Sequence, residues 1–356
     1  MKQRIQNNGI TATLTALLAA QWFSSTGAGL FPAAGNAAYL SILLAGAGLA
    51  LLCLALQWCL PHQGLLRICE SGSMLRFFPL LAAFALLLPA SCALRDAVGM
   101  LQLTLLPETP RWYALALMVI TVFFMSKGGT AGVFRTIKLL APVLAAVYAL
   151  VLVLSGWGQF DLYGLFPLLG TGLSGIGNAV GKALPAGIWL LLLLFAETPA
   201  KEARGAACAC VWSAVLTAAG FICCAMLQSG AASTDTAFPL HRLSLTGGIS
   251  FAFERMQAPF VFAWLPVQAA AAALGLAFAA ECIQSTFRTD SRLPFLLPLL
   301  ILSFCLALPD PERCGAWLTT LLQSRTQCIL LVPLLLPLIM EKFKEKCRKK
   351  EGKEHA

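Results

Sequence analysis

The segment from Ser24 to Pro32 combines residue types that interrupt a membrane-spanning helix. It reads Ser-Ser-Thr-Gly-Ala-Gly-Leu-Phe-Pro within an apolar run that covers residues 10–31. Glycine and proline weaken a helix, and backbone groups released inside a bilayer need a ligand, water or a neighbouring helix as hydrogen-bond partner. The candidate ligand-binding residues of this segment are Ser24, Ser25, Thr26, Gly27, Ala28 and Gly29.

A second cluster of helix-weakening residues lies near the middle of the chain. Gly177 and Gly181 precede the Leu-Pro-Ala-Gly at 184–187, in which Pro185 removes a backbone donor and Gly187 lowers helix propensity. Matched interruptions in two halves of a chain indicate the substrate site of many secondary transporters, so Pro185 and Gly187 are also candidate ligand-binding residues. Small residues also permit close packing of membrane helices, and this explanation of both clusters stays open.

Acidic residues near the ends of apolar runs are candidates for proton coupling, because ionisable groups inside a bilayer are costly and often functional. The acids in such positions are Asp96, Glu108, Glu197, Glu254 and Glu281. We expect them to lie at the membrane interface, several with a basic neighbour, as Arg95 is for Asp96. Glu281 is the least explained by such pairing and is the candidate coupling acid.

No pattern of residues indicates an enzyme, a metal site or a cofactor. The three histidines fall in predicted loops or in the tail, and we find no nucleotide-binding loop, metalloprotease helix or Ser/His/Asp set. Most of the 13 cysteines lie inside apolar runs, and none forms a Cys-x-x-Cys pair. We interpret the cysteines as small packing residues that are compatible with lipid.

Composition places these residues in a polytopic, all-α membrane protein. Of the 356 residues, 59% are hydrophobic and 12% are charged, and the mean hydropathy is +0.80. A soluble domain has about 25% charged residues, and the continuous apolar runs lack the alternation of a transmembrane β-barrel. Because a spanning helix needs about 20 apolar residues, the runs predict about ten spans. They cover residues 10–31, 38–60, 77–106, 112–126, 136–157, 183–196, 205–229, 256–280, 293–309 and 315–340.

The distribution of Lys and Arg predicts the orientation in the membrane. With the N-terminus in the cytoplasm, 18 of the 25 basic residues fall in cytoplasmic segments and 7 in external ones. Such a bias follows the positive-inside rule and predicts that both termini are cytoplasmic. We therefore expect one transmembrane domain over residues 1–340 and a basic cytoplasmic tail over 341–356, which would contact lipid headgroups rather than nucleic acid. The two interruptions divide the domain into repeats of about 10–157 and 178–340.

Several stretches, taken in order, resemble one known family. The most specific is Leu-Leu-Pro-Glu-Thr-Pro-Arg-Trp at 105–112, between the third and fourth spans. The further matching stretches lie at 27–35, 127–135, 161–170, 183–185 and 238–264. Together they resemble the spore germination permeases, the B-subunits of GerA-type germinant receptors, in the amino acid–polyamine–organocation (APC) transporter superfamily. The chain departs from that family in its sixth span, which is shortened and is uninterrupted from Trp189 to Leu194.

The resemblance implies a LeuT-like fold of ten helices in a five-plus-five inverted repeat, with helices 1 and 6 discontinuous. It implies a subunit that senses a small nutrient, such as an amino acid, in the inner membrane of spores, together with A- and C-type receptor subunits as partners. The ligand would bind between the first and sixth helices. Two alternatives remain: a proton-coupled amino acid transporter, and a structural receptor subunit that no longer binds ligand.

Overall fold

The computed structural model describes residues 7–24, 29–59, 78–156, 161–194, 199–227, 241, 243–244 and 257–307. Within these ranges every regular element is helical, which confirms the all-α class for the described part of the chain. The helices are α1 (Asn7–Phe23), α2 (Leu30–Ala34), α3 (Ala38–Cys59), α4 (Phe78–Thr104), α5 (Arg111–Ser126), α6 (Gly129–Gly156), α7 (Leu173–Ala183), α8 (Leu191–Leu194), α9 (Pro199–Leu227), α10 (Gln257–Phe287) and α11 (Leu293–Ala307). Short 3-10 segments occupy Gly35–Ala37, Leu162–Leu165 and Leu184–Leu190.

In the part of the chain that the structure describes, six helical stretches are long and apolar enough to cross a membrane. They are Leu30–Gln57, Pro79–Thr104, Gly129–Leu154, Leu173–Leu193, Glu202–Leu227 and Ala258–Phe287. Shorter apolar helices cover Ile10–Phe23, Arg111–Ser126 and Leu293–Phe304. The chain is therefore a multi-pass membrane protein by the length and composition of its helices.

Helices α4 and α10 form the centre of the bundle. They pack along each other, and 83% of the apolar stretch of each is buried, against 22% for α6. Small residues permit this close approach: a Cβ added at Gly275 of α10 would lie 2.5 Å from the Ala90 Cβ of α4. Helix α9 packs on α3 and α1, while α6 and α5 contact α10 from the other side.

The third predicted span forms one continuous helix, although Arg95 and Asp96 interrupt its apolar run. Both residues lie within α4 (Phe78–Thr104), so the charged pair does not end the helix. Two other boundaries agree closely with the predicted spans: α5 begins at Arg111 and α11 begins at Leu293. The predicted tenth span at 315–340 and the tail lie outside the described residues.

The sixth span differs from its sequence-based boundaries. Helix α7 begins at Leu173, ten residues before the predicted start at 183, and the spanning stretch continues to Leu193. The predicted apolar run began after Lys182, whereas the structure places Lys182 in the last turn of α7, where its Nζ donates a hydrogen bond to the Gly29 carbonyl (3.2 Å). The described spanning stretch is therefore 21 residues long. The predicted shortening before Glu197 falls partly on residues 195–198, outside the described residues, and stays a prediction.

Candidate functional site

Helix α1 ends where the first interruption was predicted. Ser24 donates from both its backbone N–H (3.3 Å) and its hydroxyl (2.6 Å) to the Gln21 carbonyl. The next described residue, Gly29, precedes α2, which begins at Leu30. The remaining candidates of this cluster, Ser25, Thr26, Gly27 and Ala28, lie outside the described residues. At the described positions, the interruption thus separates α1 from a short second helix.

The second interruption is a change of helical geometry rather than a gap. Between α7 and α8 the seven residues Leu184–Leu190 form a 3-10 segment, with Pro185 at its start. Proline lacks the N–H that an α-helical turn would use, and short 3-10 stretches inside longer helices often mark functional hinges. Gly187 packs against α3, where an added Cβ would lie 2.5 Å from the Leu49 Cδ2. Pro185 and Gly187 therefore shape the interruption.

Two tryptophans join the interruptions across the protein. The Trp22 Nε1 donates to the carbonyl of Ala183, at which α7 ends (3.0 Å), and the Trp189 Nε1 of the 3-10 segment donates to the Gln21 Oε1 (2.6 Å). Trp22 and Trp189 are fully buried. The structure thus brings together two regions that lie more than 160 positions apart in the sequence.

Helix α10 also contacts the end of α1. The Gln268 Nε2 donates to the Ala20 carbonyl (2.8 Å), and Gln268 is 1% exposed. The last four carbonyls of an α-helix have no intrahelical donor. Because Gln268 binds the carbonyl of Ala20 and Ser24 binds that of Gln21, side chains satisfy two of these acceptors at the end of α1.

A small cavity lies where these elements meet. Its lining comes from α1, α4, α10 and the 3-10 segment: Leu17, Gln21, Ser24, Pro89, Cys92, Ala93, Asp96, Trp189, Gln268 and Ala271. The cavity offers about 10 Å³ to the centre of a water molecule, which is about what one water needs. The lining combines a polar wall of amide, hydroxyl, indole and carboxyl groups with an apolar wall of aliphatic side chains.

Asp96 lines this cavity and is buried within α4, whereas the sequence predicted an interfacial position. It is 4% exposed, within α4, and its Oδ1 lies 3.8 Å from the Arg95 Nε. A charged pair inside an apolar run was a signal for a functional site, but its basic neighbour favoured an interfacial position. Sequence reasoning also missed Gln21, Trp189 and Gln268, because a neutral polar or aromatic residue within a span carries no such signal.

Glu281 does not line the cavity. Its carboxylate accepts hydrogen bonds from the backbone N–H (3.1 Å) and the hydroxyl of Thr130, and it forms an ion pair with Arg292 (Oε1 to Nη1, 2.8 Å). Thr130 lies in the first turn of α6, where backbone N–H groups lack intrahelical acceptors. Glu281 thus links α10, α6 and the loop before α11, and its proton-coupling role stays a prediction.

Within the described ranges, no group of three or more His, Cys, Asp or Glu residues could hold a metal ion. The cavity itself has one carboxyl group, Asp96, and one thiol, Cys92. The other polar groups that line the cavity are the amides of Gln21 and Gln268, the hydroxyl of Ser24 and the indole of Trp189.

The sequence and the structure of the chain were compared with those of known proteins. Residues 28–313 match the profile of the spore germination protein family. No curated protein matches the sequence. Crystal structures of mutants of the Eremococcus coleocola manganese transporter are similar to this chain, with TM-scores up to 0.61, 18% sequence identity, and coverage of 94% of this chain and 79% of that one. The same transporter in complex with an aromatic bis-isothiourea substituted compound has a TM-score of 0.57 at the same identity and coverage.

At this identity the structural similarity establishes the fold alone, which is that of LeuT-like transporters. The family match covers most of the chain, including α2 to α11 and with them most of the cavity lining. The chain therefore belongs to the spore germination protein family, as the resemblance indicated, and it is a multi-pass membrane protein with a transporter-like fold.

Proposed function

We propose that this protein is a nutrient-sensing membrane subunit of a spore germinant receptor and that an amino acid binds in the cavity between the two interruptions. One observation supports this proposal most directly: Trp22 and Trp189 join the end of α1 to the 3-10 segment of the sixth span, beside a buried polar cavity. Sites of this kind, at paired helix interruptions, serve substrate binding in many transporters.

The ligand would contact both interruptions. Its carboxylate would meet backbone N–H groups around the first interruption, which includes Ser24 to Gly29, because N–H groups released from a helix bind anions well. Trp189 and Gln268 would contact the rest of the ligand. Since the cavity as described has room for about one water, binding requires the interruptions to move apart, and only a small ligand fits without a large rearrangement.

The signal would be a shift between two conformers, a closed one and one widened around the ligand. A ligand shifts such an equilibrium only by its difference in affinity for the two states. The tryptophan hydrogen bonds across the interruptions are the contacts that this widening would break. The partners, A- and C-type receptor subunits, would respond to the widened conformer.

The proposed architecture is a five-plus-five inverted repeat of ten helices, with helices 1 and 6 discontinuous, in the spore inner membrane and with both termini cytoplasmic. The ends of α1 at Phe23 and of α7 at Ala183 support the two discontinuities. The tenth helix would come from residues 315–340, and the repeats would cover about 10–157 and 178–340.

The experiment is a germination assay with spores of a strain that lacks the gene, complemented by the wild type or by Gly27→Leu. We expect the deletion to abolish the response to one amino acid and only the wild type to restore it, because a leucine at position 27 would fill the first interruption. A normal response of the Gly27→Leu spores would contradict this binding site. An unchanged response after deletion would contradict the receptor role.

Transport of an amino acid is the second candidate, and the fold similarity to a manganese transporter favours it. It would use the same cavity and require turnover, with Glu281 as the candidate coupling acid. Uptake by the purified protein in liposomes would support transport over sensing. A structural receptor subunit that no longer binds ligand is the third candidate, and the uninterrupted apolar run from Trp189 to Leu194, which departs from the family, favours it.

A further inference from the structure

The segment that precedes and begins α7, residues 162–173, exposes a cluster of large apolar side chains. We call this segment the apolar loop. Six of its side chains are 48–82% exposed: Leu162, Tyr163, Phe166, Leu168, Leu169 and Leu173. Asp161 is the only charged residue in the sequence from 139 to 181. A loop surrounded by water carries polar groups, whereas a contiguous exposed apolar patch marks a surface that interacts with a protein or a membrane.

The first part of the apolar loop is fixed to the end of α9 through its backbone. The Asp161 N–H donates to the Met226 carbonyl (3.3 Å), and the Asp161 Oδ1 accepts a hydrogen bond from the Tyr163 N–H (2.9 Å). A Cβ added at Gly164 would lie only 2.5 Å from the Ala225 carbonyl oxygen. Because the backbone makes these contacts, the apolar side chains stay exposed on a defined scaffold.

The second part of the apolar loop is fixed to the residues at the end of α2. The Asn36 Nδ2 donates to the Phe166 carbonyl (2.9 Å). Thr171 donates its backbone N–H to the Ala34 carbonyl (3.3 Å) and its hydroxyl to the Ala33 carbonyl (2.7 Å). Helix α2 follows the first interruption, and α7 leads from the apolar loop to the second one. The apolar loop therefore connects physically to both interrupted spans.

The length of α6 gives the level of the apolar loop in the membrane. Lys138 is exposed and is the last charged residue before the apolar stretch 139–156, and a lysine at such an edge lies at the level of the headgroups. The stretch is about 27 Å long at 1.5 Å per residue, close to the thickness of about 30 Å of a hydrocarbon core. Gly156 thus lies near the opposite headgroups, and residue 161 follows five positions later.

Helix α9 gives the same level independently. Its spanning stretch ends at Leu227, next to the Met226 carbonyl that binds the apolar loop. The exposed side chains of α9, such as Val211 and Trp212, belong to a surface that faces lipid, since α9 spans the membrane. The apolar loop lies at the end of this lipid-facing surface and continues it.

We propose that the apolar loop docks into the interface between acyl chains and headgroups of one leaflet and so anchors the adjoining ends of α2 and α7 to lipid. The bias of Lys and Arg predicts this leaflet to be the outer one. Aromatic residues such as Tyr163 and Phe166 are suited to this zone, where tyrosine is enriched. Since no basic residue lies in the apolar loop, uncharged lipid suffices for binding. A partner protein is the other occupant that the test addresses.

The test is fluorine NMR on the purified full-length protein, labelled with fluorotyrosine, in nanodiscs of phosphatidylcholine. The chain has four tyrosines, whose signals are assigned by substitution with phenylalanine: Tyr39, Tyr113, Tyr148 and Tyr163. Paramagnetic broadening is compared for lipid with a nitroxide near the headgroup, lipid with a nitroxide at the end of its acyl chain, and a gadolinium chelate in water. Tyr148, which is 2% exposed, is the buried reference.

We expect the nitroxide near the headgroup to remove most of the Tyr163 signal, with less broadening from the nitroxide at the chain end and little change at Tyr148. Broadening of Tyr163 by the gadolinium chelate alone would overturn the proposal, because the apolar loop would then lie in water and be free for a partner protein. Absence of broadening by all three probes would also overturn it, because the chain itself would then cover Tyr163.

Variants test the side chains of the apolar loop. We expect Phe166→Asp combined with Leu169→Asp to abolish the broadening of Tyr163 by lipid and to increase that by the gadolinium chelate, because charged groups are costly in an apolar interface. Ser174→Asp, at an exposed polar position next to the apolar loop, is the matched control and should leave Tyr163 unchanged. Unchanged lipid broadening in the double variant would overturn the proposal. If the double variant does not fold, the three probes on the wild type decide it.

Discussion

At the scale of single residues, the hydrogen bond between Trp189 and Gln21 is the most consequential contact. It joins the two interruptions at 2.6 Å, and both residues are buried and line the cavity. The indole N–H of Trp189 makes this bond.

We predict that Trp189→Phe destabilises the protein by about 1–3 kcal/mol, because it leaves the buried Gln21 Oε1 without this donor and removes part of a buried ring. Thermal unfolding in nanodiscs measures the loss. Trp112→Phe, at a position that is 65% exposed, is the control and should change little. Equal effects of the two substitutions would mean that the hydrogen bond contributes no stability.

The sequence indicated only part of this site at the residue level. The interruptions were visible as Gly, Ser and Pro clusters, since these residue types have known effects on helices. The juxtaposition of Ala20 with Gln268, 248 positions apart, has no local signal. Asp96 was visible as a charge in an apolar run, but Arg95 beside it pointed to the interface instead.

At the scale of elements, packing between helices depends on small residues at particular positions. Gly275 of α10 faces α4, where an added Cβ would lie 2.5 Å from the Ala90 Cβ and 3.0 Å from the Leu86 carbonyl oxygen. Gly48 of α3 faces open space, with no atom within 4 Å of an added Cβ. Both glycines lie within helices, so substitutions at the two positions differ mainly in the space available to the new side chain.

We predict that Gly275→Leu destabilises the protein by about 1–3 kcal/mol or prevents its folding, because the two central helices must separate. Gly48→Leu should be neutral or slightly stabilising, because leucine has the higher helix propensity. The midpoint of thermal unfolding, with the yield of monodisperse protein, compares them. If both substitutions are tolerated equally, the close approach of α4 and α10 is wrong.

The contacts of Glu281 form a second junction between elements. Its carboxylate joins Thr130 at the start of α6 to Arg292 before α11. The Glu281 and Arg292 side chains are 22% and 43% exposed, so the ion pair itself contributes modestly.

We predict that Glu281→Gln and Thr130→Val each lower stability, with a coupling energy of about 0.5–1.5 kcal/mol in a double-mutant cycle, because they share the same hydrogen bonds. Arg288→Gln, at an exposed position in the loop that also holds Arg292, is the control and should change stability little. Strictly additive effects would exclude this junction. A Glu281→Gln protein of unchanged stability whose response no longer depends on pH would instead support the role of a coupling acid.

The sequence predicted helix boundaries well where an apolar run begins or ends with the helix. It failed where a helix includes charged residues such as Lys182 and Glu281. Helices α5 and α11 begin within one residue of the predicted spans. Helix α7 begins ten residues before the predicted start and includes Lys182, which donates to the Gly29 carbonyl. Helix α10 continues seven residues past its predicted end at 280 and includes Glu281, which contacts Thr130 and Arg292.

At the scale of the whole molecule, the positions of the basic loops predict which way the chain is oriented in the membrane. Helix α6 runs from Gly129 to Gly156, about 42 Å at 1.5 Å per residue, and so crosses the membrane once. The Glu281–Thr130 junction at its start and the exposed segment around Tyr163 after its end therefore lie on opposite sides. The excess of Lys and Arg predicts which side is which.

We predict that an epitope tag inserted at Tyr163 is accessible to antibody on intact cells, whereas a tag at Thr289 is accessible only after permeabilisation. Both positions are exposed, so a difference reports the side of the membrane and not burial. A protein that carries both tags and still functions is the control, because it shows that neither tag has changed how the chain inserts into the membrane. The reverse pattern would place the basic loops outside and overturn the cytoplasmic position of both termini.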